Sequence, residues 1–495
     1  MALRRKTNSL PVYDLASVVG HTPAPVQREA PEKKRGPRPA PSAPRRGVAR
    51  PFSGRAPLNP TIPVHRGSTG QVQGLYPFLF GAGLPPVGFY VGTDTQTGGA
   101  FTCHPLEWLK AGLITNPNLM ITGVPGAGKS ATCKAISTRL MPYGVKTFVL
   151  GDLKNEYARL ARSLGVEPLE LGQGLGNRLN PLDAGPLGTR LPTDAAEQRE
   201  LREEIHRRRL SLLSALLEMN LKRSLKPTEE AAVSLAVRMA SGETDAHTTL
   251  VDPTIPQVWA LLRDPEDSMA DELRVETISD LRHLIREVTD ALGNMVQGTL
   301  SGLFDGPTTV RMDFDAPIQT VDLSRIDSRG DDTVAMTLAC VASWGQAAID
   351  EPDGPVRLVV RDELWRAMRI PAMVRKLDSD LRLSRAKGTI ELLSTHRLAD
   401  FEAVGAQGSE EVAIARNLIA SCDVRICLRQ DTAPLAMTKE AIGLTDTEAA
   451  HIASWSAEHI GRALWKIGRS ASHVVQTDLS ALERQLFYTN ERMAI

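Results

Sequence analysis

Cysteine is scarce in this 495-residue chain, with five residues: Cys103, Cys133, Cys340, Cys422 and Cys427. None forms a C-x-x-C pair and the number is odd. A disulfide framework or zinc site is therefore not expected, and a reducing compartment fits best. The ten histidines include no H-E-x-x-H. Long apolar runs are missing too. The most apolar stretch, Val334 to Ile349, is interrupted by Thr337, Ser343 and Gln346. It falls short of the ~20 residues a membrane-spanning helix needs, so a buried core helix is predicted there. The first residues are basic but no apolar segment follows, so no secretory signal is expected. No N-K-x-D base-reading motif occurs, which argues against a GTPase switch. Nor is there a helix-turn-helix or winged-helix pattern, or an internal repeat.

What is present is a soluble-type composition, 42% hydrophobic and 23% charged, long enough for two or three domains. The zero net charge hides an asymmetry. Residues 1–75 carry thirteen Lys/Arg against three acids, a net +10, which leaves −10 for the rest. Residues 1–70 also hold twelve of the thirty-three prolines. Such a segment buries too little apolar surface to offset its ordering entropy. It is predicted to be disordered, either a plain solvated tether or a polybasic arm for nucleic acid, an anionic membrane surface or an acidic partner.

The chain is organised around Asn118–Lys134. A short apolar run, Leu119 to Ile121, predicts a buried strand. It leads into Gly123-Val124-Pro125-Gly126-Ala127-Gly128-Lys129-Ser130, which satisfies G-x-x-x-x-G-K-[ST], and helix-compatible sequence follows from Ala131. Strand, glycine loop and helix in that order predict a phosphate-binding loop. Glycines let the backbone approach an anion, and loop N–H groups and the helix N-terminus then face the phosphates. The candidate ATP-binding residues are thus Gly123, Val124, Pro125, Gly126, Ala127, Gly128, Lys129, Ser130 and Ala131. Lys129 would meet the β- and γ-phosphates, and Ser130 would ligate Mg²⁺.

Further short strands are predicted at Val87–Gly92, Ala100–Cys103 and Val145–Leu150, with a helix at Glu156–Ser163. Residues 190–296 read as a helical insertion. Leu201, Ile205, Leu212, Leu216 and Met219 recur at helical spacing, and Ile278, Leu281, Ile285, Val288 and Leu292 predict one further amphipathic helix. Strands are then predicted at Thr308–Phe314, Gln319–Leu323, Val356–Val360, Ile390–Leu393 and Val424–Leu428. A hairpin of Ala463–Ile467 with Ser472–Val475 and a terminal helix after Ser480 complete the pattern.

The strand at Val356–Val360 ends in Arg361-Asp362-Glu363. Downstream of a phosphate loop, these acids suggest Asp362 as a metal ligand and Glu363 as the group that orients and deprotonates an attacking water. Arg361 breaks the aliphatic pattern, and must lie at the strand's exposed end or pair with a carboxylate. His396 ends the next strand and is a candidate γ-phosphate sensor; a structural histidine is the plain alternative. Arg385 and Arg425 are candidates for a finger reaching a neighbouring subunit's nucleotide, against the plain alternative of solvated surface arginines.

With these residues in view the chain resembles the VirB-type ATPases of conjugation and type IV secretion, of the HerA–FtsK group of RecA-like motors. The resemblance spans roughly residues 75–490. It rests on G-V-P-G-A-G-K-S (Gly123–Ser130), G-D-L-K-N-E-Y (Gly151–Tyr157), N-P-L-D (Asn180–Asp183), G-L-F-D-G (Gly302–Gly306), R-D-E-L-W (Arg361–Trp365), S-R-A-K-G (Ser384–Gly388), S-T-H-R (Ser394–Arg397) and G-R-A-L-W-K-I-G (Gly461–Gly468). Only the first is specific alone. The family commonly has Gln where His396 stands, and often a large N-terminal domain where this chain has its basic tail.

The expected fold is α/β: the resemblance implies a RecA-like P-loop NTPase core with a mainly parallel sheet, while the residues themselves predict an all-helical insertion and a disordered basic N-terminal tail. The corresponding divisions are 1–70 for the tail, 71–189 and 297–495 for the core, and 190–296 for the insertion. It implies an ATP- and Mg²⁺-dependent ATPase acting as a homo-hexamer at the cytoplasmic face of a membrane channel for conjugation or secretion. It also implies Lys129 and Ser130 at nucleotide and metal, Asp362 and Glu363 as the second acidic motif, and Arg385 near an intersubunit site. Two alternatives remain open: a translocase that moves DNA itself, and a nucleotide-gated scaffold that hydrolyses little.

Overall fold

The computed structural model describes residues 84–488 apart from 173, 186–193, 243–250, 311–312, 314, 350–353, 369, 402–408 and 469–470. The expected basic arm lies outside the described residues. The chain opens with the antiparallel pair β1 (Phe89–Asp94) and β2 (Ala100–Cys103). Helix α1 (Pro105–Lys110) leads to β3 (Leu119–Thr122), the glycine loop and α2 (Lys129–Leu140). Then come β4 (Lys146–Asp152), α3 (Ala158–Ser163) and β5 (Leu169–Glu170). A helical region follows: α4 (Ala195–Leu221), α5 (Pro227–Ala240), α6 (Ile255–Arg263), α7 (Asp267–Glu272), α8 (Ile278–Leu284) and α9 (Arg286–Asn294). The chain returns to the sheet with β6 (Ile318–Asp322), α10 (Asp331–Ile349), β7 (Arg357–Arg361), α11 (Leu364–Ala367), α12 (Pro371–Lys387) and β8 (Thr389–Thr395). It ends with α13 (Glu410–Ala420), β9 (Val424–Leu428), α14 (Thr432–Ile442), α15 (Asp446–Ser454), β10 (Arg462–Ile467), β11 (Ala471–Thr477) and α16 (Ala481–Phe487).

Among the described residues eleven strands form one sheet in the order β2-β1-β11-β10-β9-β3-β8-β7-β4-β6-β5. From β9 to β5 every neighbouring pair is parallel; from β2 to β9 every pair is antiparallel. The mainly parallel α/β core expected from the sequence is present. β3 and the centre of β7 are short apolar runs because both faces of the sheet are covered there. In β3, Leu119 and Ile121 join a core with α2, whereas Met120 faces a second core with α12 and α13. β7 divides likewise, with Leu358 and Val360 on the α2 side and Val359 on the other. The helical region shares the core of α10: Leu213, Leu216 and Leu217 of α4 pack in one cluster with Val334, Leu338 and Val341. The five cysteines are buried thiols. No described helix is long and apolar enough to cross a membrane.

Three local expectations need correction. The single helix through Ile278–Leu292 is two helices, broken at Ile285, whose φ of −97° and ψ of 5° leave helical geometry. Leu281, Ile285, Val288 and Leu292 are all buried, so the apolar stripe runs straight through the break and periodicity does not reveal it. The helix expected from Glu156 starts at Ala158, because the Asp152 carboxylate takes the Glu156 and Tyr157 amides at 2.9 and 2.7 Å. No strand forms over the described part of Thr308–Phe314; residues 311, 312 and 314 lie outside the described residues. There the Thr308 hydroxyl accepts from the Asn180 amide and donates to Asp183, at 3.0 and 2.8 Å, and Thr309 pairs with Arg178. The segment is stitched to the Asn180–Asp183 motif instead of to a sheet neighbour.

Candidate nucleotide-binding site

The glycine loop spans the gap between the end of β3 and the start of α2. Gly126 and Gly128 have φ of 78° and 103°, values side chains disfavour. A Cβ on Gly128 would lie 2.9 Å from the Gly461 nitrogen, and the Gly461 amide donates to the Ala127 carbonyl at 2.9 Å. The G-R-A-L-W-K-I-G motif therefore packs against the phosphate loop through its first glycine. Gly128 caps α2 without a side-chain hydrogen bond, leaving the helix's first amides open to a ligand.

The parallel order sets the rest. β8 lies between β3 and β7, with Thr122 opposite Thr395 and Leu393 opposite Arg361. The residues following all three strands therefore emerge together at the carboxyl edge, where open α/β sheets bind ligands. Lys129 Nζ donates to the Gly123 carbonyl at 2.8 Å and the Val124 carbonyl at 3.3 Å, and lies 2.9 Å from His396 Nδ1. His396 Nε2 lies 3.2 Å from the Glu363 carboxylate. One imidazole thus links the loop lysine to the second acid. Burial lowers the Lys129 pKa, partly offset by Asp362 and Glu363.

Glu363 begins α11 in a left-handed conformation, φ 49°. Strained non-glycine backbone of this kind clusters at functional sites. Lys154 pairs with its carboxylate, and the Trp365 indole donates to it at 2.8 Å. Burial pushes the Glu363 carboxyl up, but hydrogen bonds from His396, Lys154 and Trp365 outweigh it and hold the group well below the usual carboxylate range. Asp362 is half-buried and has no ion-pair partner among the described residues. Burial pushes its carboxyl up, with Glu363 and Glu156 adding to the effect. Asp152, at the end of β4, orders the turn that carries Lys154 by accepting the Lys154, Glu156 and Tyr157 amides. Burial raises it to about 6.

These groups line a cleft of about 560 Å³ that holds Pro125, Gly126, Gly128, Lys129, Ser130, Ala131, Asp362, Glu363 and His396 together. Of the loop candidates, Gly123, Val124 and Ala127 do not line it, and two candidates from other elements stand elsewhere. Arg385 is exposed at the last turn of α12, before β8 begins, and so lies at the opposite edge of the sheet. Arg425 is near the start of β9 and donates to the Ile419 and Ala420 carbonyls at 3.3 and 3.4 Å. Arg361 is buried and resolves its alternatives by pairing, with Glu391 at 2.8 Å and Asp380 at 3.1 Å. Sequence reasoning on individual site residues missed Lys154, Glu156 and a further wall of the cleft. Lys154 and Glu156 had a signal, polar residues ending a buried strand. The wall, Ile460, Leu479, Arg484, Phe487 and Tyr488, comes from the chain's last elements and carried none.

A mainly parallel sheet, a glycine phosphate loop between strand and helix, and an acidic pair two strands away define the RecA-like P-loop fold. Among solved structures the chain is similar to VirB4 of Thermoanaerobacter pseudethanolicus, with a TM-score of 0.64 and 21% identity over 81% of this chain and 99% of that one. It is also similar to the bacterial conjugative coupling protein TrwBdeltaN70, with a TM-score of 0.50 and 12% identity over 73% of this chain and 84% of that one. At these identities the likeness is one of fold. No protein-family profile matches the chain, and no curated protein sequence matches it.

Proposed function

We propose that this chain is an ATP-hydrolysing motor of the kind that energises conjugative transfer or type IV secretion. It would work as a ring oligomer, a homo-hexamer in the resemblance, at the cytoplasmic face of a membrane channel. The observation that carries the reading is the Lys129–His396–Glu363 chain of contacts beside an open glycine loop. Lys129 and Glu363 stand one imidazole apart, which supports reading them as the phosphate-binding cation and the water-activating carboxylate. In this reading the loop amides and Lys129 bind the triphosphate, and Glu363 orients and deprotonates the attacking water. His396 touches both, so it senses whether a phosphate has drawn Lys129 away. Asp362, a half-buried acid without a described cationic partner, and the Ser130 hydroxyl are the residues that would hold Mg²⁺. When bound, that ion neutralises charge on the β- and γ-phosphates. Arg385 would act on a neighbouring subunit's nucleotide.

A second reading, a nucleotide-gated scaffold, draws support from the three donors already engaging Glu363. Two variants separate them. Lys129→Ala should lower turnover by roughly a hundredfold or more, the scale expected when a cation on the transferring group is lost. Unchanged ATP affinity and turnover in that variant would refute the site. Glu363→Gln should also abolish turnover while keeping ATP binding; equal, negligible rates in it and the natural chain would favour the scaffold.

A further inference from the structure

The phosphate-loop helix α2 carries a second lysine, Lys134, one turn beyond Ser130, and it is fully buried. Its Nζ makes no hydrogen bond among the described residues. An ammonium has three N–H donors, and enclosing it with none of them satisfied is costly. Its surroundings are acidic. Glu156 Oε2 stands 3.9 Å away and is likewise enclosed without a hydrogen bond. The Tyr157 ring centroid lies 5.4 Å from the same Nζ. Burial lowers the Lys134 pKa, while Glu156, Asp152 and Asp362 raise it. The turn after β4 that supplies Glu156 also carries Lys154, and both residues line the nucleotide cleft. The Lys154 side chain pairs with Glu363 but is 53% exposed. Burial lowers the Lys154 pKa, but Glu363 outweighs it and Glu156 adds to the rise. Lys154 therefore feels two carboxylates and is bonded to one.

We propose that Glu156 is the alternate partner of Lys154: when Lys154 leaves Glu363 its ammonium passes to Glu156, which Lys134 positions from within the core. The proposal rests on the reading of Glu363 as the group that activates water, and it gives the released cation a destination. Glu156 and Lys134 are positioning residues, since neither touches the reacting atoms. A lysine's flexible four-carbon stem can swing between partners. The backbone of the turn is fixed meanwhile, because the Asp152 carboxylate accepts the Lys154, Glu156 and Tyr157 amides. The exchange is thus one of side chains. The loose Lys134 pair suits this role. At 3.9 Å its charge holds the Glu156 carboxylate in the wall, yet no hydrogen bond commits that carboxylate to it. A closed ion pair with Lys134 would leave Glu156 less able to receive a second ammonium.

Turnover and equilibrium ATP binding of the full chain test this as double-mutant cycles. Glu156→Gln should lower kcat about tenfold, the scale of coupling between neighbouring charges, because Lys154 then stays on Glu363. ATP affinity should stay within about threefold. Lys134→Met should act in the same way, and the two together should cost no more than either alone. In the Lys154→Met background Glu156→Gln should cost less than about twofold, since no cation is left to receive. The proposal is overturned if the Lys134→Met and Glu156→Gln losses multiply to about a hundredfold, or if the Glu156→Gln loss is undiminished in the Lys154→Met background. It is equally overturned if Glu156→Gln leaves kcat unchanged, or weakens ATP binding as much as it lowers kcat, the mark of a purely structural role. Should Lys134→Met fail to fold, the Glu156 and Lys154 cycle decides alone. Failure of the Glu363 reading itself would show as turnover kept in Glu363→Gln, which no outcome of these cycles produces.

Discussion

At the scale of single residues the decisive group is Glu363. Burial alone would make it a stronger base, yet Lys154, His396 and Trp365 together keep it ionised far below its usual range. A carboxylate held by three donors is a poor proton acceptor, so in the proposed role of Glu363 one donor would have to let go before water is activated. Lys154 is the candidate, because it is half exposed and stands on the turn after β4. The sign follows from the direction of the shift. A depressed pKa keeps the carboxylate until pH falls through that low value; removing a cationic donor raises the pKa, so the carboxylate is lost at a higher pH. The acid limb of kcat/KM against pH reports the free enzyme's base. In Lys154→Met that limb should move to higher pH, with faster turnover on the plateau above it. An unmoved limb would show that Lys154 does not hold the base.

At the scale of elements, the buried Arg361 ties three of them together. It extends from β7, just before the acidic pair, to Glu391 of β8 and Asp380 of α12, where Lys376 also meets Asp380 at 3.2 Å. Burial lowers the guanidinium's proton affinity, but the two carboxylates raise it further, so Arg361 stays charged; burial in turn pushes the Glu391 carboxyl up against the pull of Arg361. Replacing Arg361 with Met would leave two buried carboxylates facing one lysine. That should cost about 3–5 kcal/mol of unfolding free energy, read by urea denaturation, and the triple variant with Glu391→Gln and Asp380→Asn should recover much of it. A loss below about 1 kcal/mol in the single variant would mean that water already screens the cluster.

At the scale of the whole molecule the proposed finger, Arg385, lies outside the cleft. Arg385 precedes β8, whose seven residues span about 20 Å at ~3.3 Å each, while the glycine loop follows the far end of the neighbouring strand. Arg385 therefore lies too far to serve its own chain's nucleotide, and in the proposed ring it would serve that of a second copy. Turnover per chain should then rise with protein concentration. Arg385→Ala should lower kcat by roughly a thousandfold, the scale of an arginine finger, with ATP affinity kept. Turnover independent of concentration, and unaffected by Arg385→Ala, would place the complete site within one chain.

Much of this protein is legible along the chain because its signals are local. Gly126 and Gly128 mark a loop that only residues tolerant of positive φ can form, and Lys129 and Ser130 follow at spacings set by the first helical turn. The apolar runs of β3 and β7 announce strands buried on both faces. What such runs do not carry is the identity of a strand's neighbour. The insertion of β8 between β3 and β7, which brings His396 between Lys129 and Glu363, was settled by tertiary packing alone. So were the partners of Arg361, the pairing of Lys154 with Glu363, and the wall contributed by residues more than 300 positions beyond the loop. Hydrophobic periodicity reports which side of an element is covered; what covers it depends on contacts between segments far apart in the chain.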